Sequence, residues 1–136
     1  MPTIWNFTMS LSVKTVNKCR PLNLGNTTYR MNKTLRVLQL GKFYPIMGGV
    51  EKVMYDLMSG LSERGVPCDM LCALSQGSSR TFSINAHSRL IGCRTWMKVA
   101  ATMISPDMIF SLRKRCRDYD IIHVHHPDPM ACLALF

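Results

Sequence analysis

The feature that most constrains this fold is a change of hydrophobic spacing near the start of the globular part. Residues 35–40, "LRVLQL", form a short apolar run of β type that ends at Gly41. Over residues 50–61 the apolar side chains recur at helical spacing instead, and residues 64–65, Arg-Gly, mark the end of that helix. A loop, "GKFYPIMGG", separates the two patterns. The sequence therefore predicts a strand, a long loop and a helix in direct succession.

The rest of the chain continues this alternation. Residues 66–74 predict a strand, 75–80 a loop, and 81–102 one or two further strands. Ser105 and Pro106 are suited to begin a helix that runs to about residue 117, and residues 120–126, "DIIHVHH", predict another strand. This order predicts the α/β class: a Rossmann-like parallel sheet with flanking helices and right-handed crossovers.

Ligands of such sheets bind at the carboxyl ends of the strands. The loop over residues 41–49 follows the first predicted strand, and residues 125–128 follow the last one. The sequence therefore predicts two candidate sites, from distant parts of the chain, at one edge of the sheet.

The charge of the chain is uneven. The formal net charge is +9 over 136 residues, and no residue in 1–33 is acidic. Without residues 1–30, 13 basic residues face 8 acidic ones. A moderately basic domain suits anionic ligands or a lipid surface. With few aromatic residues and no reader motif, nucleic acid is not an expected partner.

The two ends differ from the middle. Residues 1–30 lack any period, and we interpret them as a disordered leader or an extension upstream of a start at Met31. The sequence predicts a globular domain over 31–136 that is partial, because the last apolar run, "DPMACLALF", has no helix-ending signal. Without a secretory signal, and with six scattered cysteines and no C-x-x-C, the expected location is the cytoplasm.

The adjacent glycines Gly48 and Gly49 have two interpretations. They are either a plain turn before a helix, or a place where the backbone approaches a ligand. Unpaired N–H groups at a helix start suit a phosphate or carboxylate. The segment matches neither the dinucleotide fingerprint nor a P-loop, so spacing alone leaves both interpretations open.

The histidines also have alternatives. His123 and His125 share one face of the predicted strand, which is a geometry that metal sites use, although no further ligand at a familiar spacing supports a metal. We expect His123 to be a satisfied core histidine, and His125 and His126 to be placed to hydrogen-bond a sugar or phosphate. Asp128 is expected to cap the last helix.

A basic run lies on the predicted helix that begins at Ser105 and Pro106. It contains Arg113, Lys114, Arg115 and Arg117. A solvated helix face explains such a run, and so does peripheral contact with an anionic membrane surface.

Together, "LRVLQLGKFYPIMGGVEKVMYDLMSGLSERGVPCDMLC" and "YDIIHVHHPDPMACLAL" resemble the N-terminal domain of the GT-B glycosyltransferases of the retaining family 4 type. The resemblance rests on a Gly-Gly-Val-Glu segment and a D-I-I-H-V-H strand some seventy residues later. It covers residues 35–136 and implies that this is the N-terminal part of a GT-B fold whose C-terminal domain is absent.

The resemblance implies a function. The full enzyme would transfer a sugar from a nucleotide sugar to a carbohydrate or lipid-linked acceptor, with retention, in polysaccharide or glycolipid biosynthesis. It would work in the cytoplasm or at the inner face of the membrane, with no cofactor and no bound metal. Gly48, Gly49, His125 and His126 would line the substrate cleft, and the catalytic groups would lie beyond residue 136. The fragment alone would be inactive.

Two other functions stay open from the residues. One is a non-catalytic half-domain that binds a nucleotide or a lipid. The other is a metal hydrolase that uses His123 and His125.

Overall fold

The computed structural model describes residues 12–14, 34–46, 48–99, 102–126 and 128–135. The elements in chain order are β1 (Ser12–Lys14), β2 (Val37–Tyr44), α1 (Gly49–Glu63), β3 (Cys68–Leu74), β4 (Arg80–Asn85), β5 (Ser88–Arg94), β6 (Met97–Val99), β7 (Thr102–Ile104), α2 (Pro106–Arg115), a 3-10 turn (Cys116–Asp118), β8 (Ile121–Val124) and α3 (Pro129–Ala134).

The main sheet has the strand order β1-β8-β2-β3-β5-β4. Its four central strands, β8, β2, β3 and β5, are parallel, while β1 and β4 pair antiparallel at the two edges. Strands β6 and β7 form a separate hairpin. The α/β class and the mainly parallel sheet predicted from the sequence are confirmed.

Both faces of the sheet are covered, which explains the continuous apolar runs of the central strands. On one face, Met54 and Met58 of α1 pack against alternate residues of the strands, including Met70. On the other, α2 and α3 contribute Met108, Leu112, Met130, Ala131 and Ala134, which pack with Leu38, Leu71, Ile91, Ile122 and Val124. The sheet therefore separates an α1 side from an α2–α3 side.

The two cysteines of β3 are core residues. Cys68 and Cys72 are buried free thiols. Burial raises the pKa of the Cys68 thiol to about 11. Both side chains therefore act as small apolar groups near neutral pH.

The end of α1 agrees with its prediction. Gly65 adopts a φ of 74°, in the left-handed region that favours glycine. Its N–H donates to the Ser62 carbonyl, and the Val66 N–H donates to the Leu61 carbonyl. These bonds satisfy carbonyls that the end of the helix leaves open.

Several predicted boundaries are wrong. Strand β2 does not end at Gly41 but continues to Tyr44, because pairing with β3 resumes at Ala73 and Leu74 after an irregularity in register. The loop before α1 is correspondingly shorter than predicted. The segment from Arg80 to Ile104 contains four strands instead of one or two.

Strand β8 and helix α2 are shorter than predicted, ending at Val124 and Arg115. Ser105 precedes α2 but does not cap it with its side chain. Its hydroxyl donates instead to the Arg94 carbonyl, 2.7 Å away, and so ties α2 to the end of β5. A sequence pattern shows that serine is preferred at a helix N-cap, but it does not show that the Arg94 carbonyl competes for the Ser105 hydroxyl.

Residues 1–30 are interpreted from the sequence as a disordered leader or an extension upstream of Met31. Within this segment, Ser12–Lys14 form β1 and pair antiparallel with β8 along the edge of the sheet. The rest of the leader lies outside the described residues.

We expect a chain that begins at Met31 to melt within about 5 °C of the full chain, because the described leader adds only three paired residues at a sheet edge. Thermal melts of both proteins test this. Val13→Pro in the full chain is a matched control that removes β1 pairing alone. A much larger loss on trimming than in the proline variant would show that other leader residues pack.

Candidate functional site

The two predicted segments meet at one edge of the sheet. Strands β2 and β8 are parallel neighbours, with Leu40 opposite Val124. The His125 N–H donates to the Leu40 carbonyl, 3.0 Å away, directly beyond the end of β8. Helix α1 begins at Gly49, shortly after β2. The loop into α1 and the residues after β8 therefore follow adjacent carboxyl ends, as the sequence predicts.

Gln39 links three elements beneath this edge. Its side chain is fully buried in β2. Its Nε2 donates to the Met54 carbonyl of α1, 2.9 Å away, and contacts Cys68 Sγ at 3.3 Å. Its Oε1 lies 2.7 Å from Nε2 of His125. One amide thus fixes the position of His125 relative to α1 and the sheet.

The Gln39 contacts also determine the tautomer of His125. Because Gln39 Nε2 is the donor to Met54, its Oε1 is the atom that faces His125, and a carbonyl oxygen only accepts. His125 Nε2 therefore carries the proton and donates. Burial, reinforced by the neighbouring His123 and His126, lowers the pKa of His125 to about 4. Near neutral pH His125 is a neutral imidazole whose Nδ1 is an acceptor.

We expect stability to depend on pH through His125. Unfolded histidine binds a proton near pH 6.5, whereas the folded His125 binds one only near pH 4. The contribution of His125 to the free energy of unfolding is therefore complete above pH 6.5. It is lost as the pH falls to about 4, which lowers that free energy by up to about 3 kcal/mol. Denaturant melts at several pH values measure this slope.

His125→Gln should flatten the slope between pH 6.5 and 4. His87→Gln is the matched control, since His87 is exposed in the turn between β4 and β5. An equal change of slope in both variants would contradict the assignment to His125.

The prediction that His123 is a satisfied core histidine is wrong. Its Nε2 is buried, and within the part of the chain that the structure describes this atom has no hydrogen-bond partner. The ring instead packs against His125, with 4.3 Å between ring centroids. Burial lowers the pKa of His123. Two neutral imidazoles, tilted by 34° against each other, therefore lie on the α1 side of the sheet end.

His126 turns towards the other side of the sheet. Its Nδ1 lies 3.4 Å from Sγ of Cys132 in α3. Asp128 is the N-cap of α3, and its Oδ1 accepts from the Met130 N–H at 3.0 Å, as predicted. The structure thus brings His125 together with the α1 side and places His126 beside α3.

A packing contact explains the glycine at position 48. A Cβ built on Gly48 would lie 2.8 Å from Oε2 of Glu51, whose side chain is only 2% exposed. The backbone at Gly48 is extended, with φ −154°, so no left-handed conformation is needed. Close approach of a buried carboxylate in the first turn of α1 therefore accounts for this residue.

The glycine at position 49 has no such explanation. A Cβ built there meets no atom of the described residues within 4 Å, and its φ lies outside the left-handed region. Gly49 is the first residue of α1, where N–H groups lack partners within the helix. Neither packing nor backbone conformation among the described residues requires glycine here.

Metal binding gains no support from the geometry. In the described ranges no group of three or more His, Cys, Asp or Glu side chains is placed to hold a metal ion. Nε2 of His125 is already engaged by Gln39. A metal on that atom would cost a buried hydrogen bond.

Asp120, which opens the D-I-I-H-V-H segment, lies at the opposite edge of the sheet from these residues. Its Oδ2 accepts from the Arg36 N–H at 3.1 Å, where the chain enters β2. This contact aligns the starts of β2 and β8. The aspartate of the segment thus has a structural role, while its last histidines lie at the candidate site.

Sequence reasoning missed Gln39 and Glu51. A polar residue inside the apolar run "LRVLQL" was the available signal for Gln39, since a buried amide needs partners. Nothing in the sequence shows that Glu51 is buried, because an acidic residue in the first turn of a helix is usually solvated.

The comparisons with known proteins agree with this architecture. A family model described as Glycosyltransferase Family 4 matches residues 47–136. O-antigen chain mannosyltransferase C of Escherichia coli is 31% identical over 97 residues, which is 70% of this chain and 26% of that protein. No solved structure shows a significant match.

The fold is that of a Rossmann-like α/β domain with its candidate site at the carboxyl edge of the sheet. With the match over residues 47–136, the chain belongs to glycosyltransferase family 4. It spans about a quarter of the length of the curated relative that it matches.

Proposed function

We propose that this chain is the N-terminal, substrate-binding part of an enzyme that transfers a sugar from a nucleotide sugar to a carbohydrate or lipid-linked acceptor, with retention of configuration. The relative's name includes mannosyl transfer, so nucleotide-activated mannose is the first donor to test. We place the enzyme in polysaccharide or glycolipid biosynthesis, in the cytoplasm or at the inner face of the membrane, and assign it no cofactor.

One observation carries the proposal. Gly49 begins a helix at the carboxyl edge of a parallel sheet, and nothing among the described residues requires a glycine there. Access of a ligand to the backbone N–H groups is a function that a side chain would obstruct. In sugar transfer, the group that needs such donors is the leaving diphosphate, whose charge grows in the transition state.

His125 supplies a different kind of contact. As a neutral imidazole with Nε2 held by Gln39, it offers Nδ1 as an acceptor for a sugar hydroxyl. An imidazolium would have to donate from both nitrogens, so the lowered pKa keeps the acceptor available. We assign Gly48 and Gly49 to the phosphate side of the cleft, and His125 and His126 to its sugar side. The groups that complete the reaction lie, in this proposal, beyond residue 136.

The test is transfer by the protein that joins this chain to the residues encoded after codon 136. Purified protein is incubated with a panel of labelled nucleotide sugars and oligosaccharide or lipid-linked acceptors, and the anomer formed is read by NMR. We expect a retained linkage with one donor, and no turnover by the 136-residue chain alone. An inverted product, or turnover by the chain alone, would contradict the proposal.

A non-catalytic half-domain that binds a nucleotide or a lipid is the second candidate function. A stop codon directly after codon 136, together with nucleotide binding by the chain, would favour it over the enzyme. The hydrolase has no supporting geometry among the described residues and is not proposed.

A further inference from the structure

The positive charge of the globular part is concentrated in one segment. Residues 94–117 contain six basic residues and one acidic residue. Residues 31–93 contain seven basic and four acidic residues, and 118–136 contain no basic and three acidic ones, so these two segments together have no net charge. The net charge of residues 31–136 therefore comes from β6, β7, α2 and their flanks.

Three of these six cations lie on one side of α2 and the 3-10 turn that follows it. We use the name α2 stripe for four exposed residues on this side: Phe110, Arg113, Lys114 and Arg117. The last three follow Phe110 by three, four and seven positions, so they lie on the same side as its ring. Phe110 is 68% exposed. On the opposite side of the helix, Met108 and Leu112 are buried in the core. The stripe thus presents three cations and an aromatic ring outward.

The β6–β7 hairpin adds apolar surface beside α2. Trp96, Met97 and Val99 are exposed, with Lys98 between them. Strand β7 packs against α3, which lies on the same side of the sheet as α2. Eight large apolar side chains are exposed among the described residues, and four of them are in residues 94–117. Exposed apolar residues and basic residues are therefore concentrated in the same segment, residues 94–117.

A groove runs between the stripe and the edge strand β4. Its volume is about 330 Å³, and it is lined by Lys114 and Arg115 of α2. Arg80 of β4 also borders it, but its guanidinium lies over the Phe82 ring, 4.8 Å from the ring centroid. Ser111 accepts from Arg115 at 2.7 Å, while Asp107 accepts from the Ser79 hydroxyl at 2.8 Å. The two α2 cations, Lys114 and Arg115, against the one carboxylate of Asp107 leave the groove positive, which suits a phosphate headgroup.

We propose that the α2 stripe and the β6–β7 hairpin bind the surface of a bilayer that contains anionic lipids. Basic side chains attract the headgroups, and tryptophan and phenylalanine insert at the level of the headgroups. A nucleic acid would satisfy the cations but would give Met97 and Val99 no apolar phase to enter. The hairpin follows the carboxyl end of β5, and β7 contacts β2 and α3, so the hairpin lies at the carboxyl edge of the sheet, whereas the α2 stripe lies on the α2–α3 side. The inference does not depend on the proposed activity.

Cosedimentation of the 136-residue chain with vesicles tests the proposal. Phosphatidylcholine vesicles are compared with vesicles in which part of the lipid is phosphatidylglycerol. We expect binding only with phosphatidylglycerol, and weaker binding as salt is added. Each cation near the surface contributes about fivefold to binding, so Arg113→Gln with Lys114→Gln should weaken it roughly 25-fold.

A matched pair removes two positive charges from α1 and its C-cap, on the other side of the sheet: Lys52→Gln with Arg64→Gln. It should bind vesicles nearly as well as the unaltered chain, and thermal melts confirm that both variants fold. Phe110→Ser should also weaken binding with the charge unchanged. Four results would each overturn the proposal. They are an equal loss of vesicle binding in the two double variants, no binding to vesicles that contain phosphatidylglycerol, tighter binding to RNA than to vesicles, and a dimer that depends on the α2 stripe.

Discussion

Gly49→Val is expected to reduce sugar transfer by about a hundred- to a thousandfold in the enzyme that contains this chain. That loss corresponds to one donor of developing charge, roughly 2.7–4 kcal/mol. The fold should tolerate the change, because a Cβ at Gly49 meets no described atom within 4 Å. Valine is also a slightly better helix residue than glycine. Transfer rate and melting temperature are measured together.

Gly60→Val is the matched control for this experiment. Gly60 lies in the last part of α1, where a Cβ would meet only the end of the Arg64 side chain, 3.4 Å away. We expect its transfer rate to be normal. If Gly49→Val keeps a normal rate, Gly49 is only a helix start and the functional part of the account is wrong. If both variants lose rate equally, the effect belongs to α1 as a whole.

Gln39→Leu is expected to lower the free energy of unfolding by about 2–3 kcal/mol, because it leaves the buried Nε2–H of His125 without its acceptor. The bonds to the Met54 carbonyl and Cys68 Sγ are lost as well. His125 should then lose its fixed tautomer, which the nitrogen shifts of the ring report by NMR. A normal tautomer and normal stability in this variant would contradict the role given to Gln39.

Gln39→Glu separates packing from charge. A carboxylate at this position would accept from His125 and favour the imidazolium, so the pKa of His125 should rise from about 4 towards or above 6.5. Leu40→Met is the packing control in the same strand, since it conserves volume in the core. It should leave the titration of His125 unchanged.

The order of the elements could be predicted because it rests on local patterns. Helix α1, the left-handed Gly65 and the Asp128 cap each depend on neighbouring residues in the sequence, and the structure confirms them. Of the apolar residues at helical spacing in α1, Met54 and Met58 are buried, whereas Val53 is 49% exposed. Boundaries that depend on distant partners were wrong. Strand β2 continues past Gly41 because β3 offers further pairing, and Ser105 turns to the Arg94 carbonyl instead of capping α2.

The candidate site was predicted only in outline for the same reason. Parallel strands bring their carboxyl ends together, so the meeting of the α1 loop with His125 follows from the topology. The Gln39–His125 contact joins residues that are 86 positions apart in the sequence. The packing of Glu51 on Gly48 and the contact of His126 with Cys132 depend on side-chain orientation, which a sequence pattern does not show. The assignment of Gly48, Gly49, His125 and His126 to substrates stays a prediction.

Ligand mapping by NMR tests the central claim most directly. The ¹⁵N-labelled chain is titrated with nucleoside diphosphates and nucleotide sugars up to millimolar concentration, which detects the weak binding expected of one half of a cleft. We expect shifts concentrated on the amides of Gly48 and Gly49 and on the ring of His125, and their loss in Gly49→Val. No shifts with any of these compounds, or shifts centred at the amino-terminal edge of the sheet, would contradict the account.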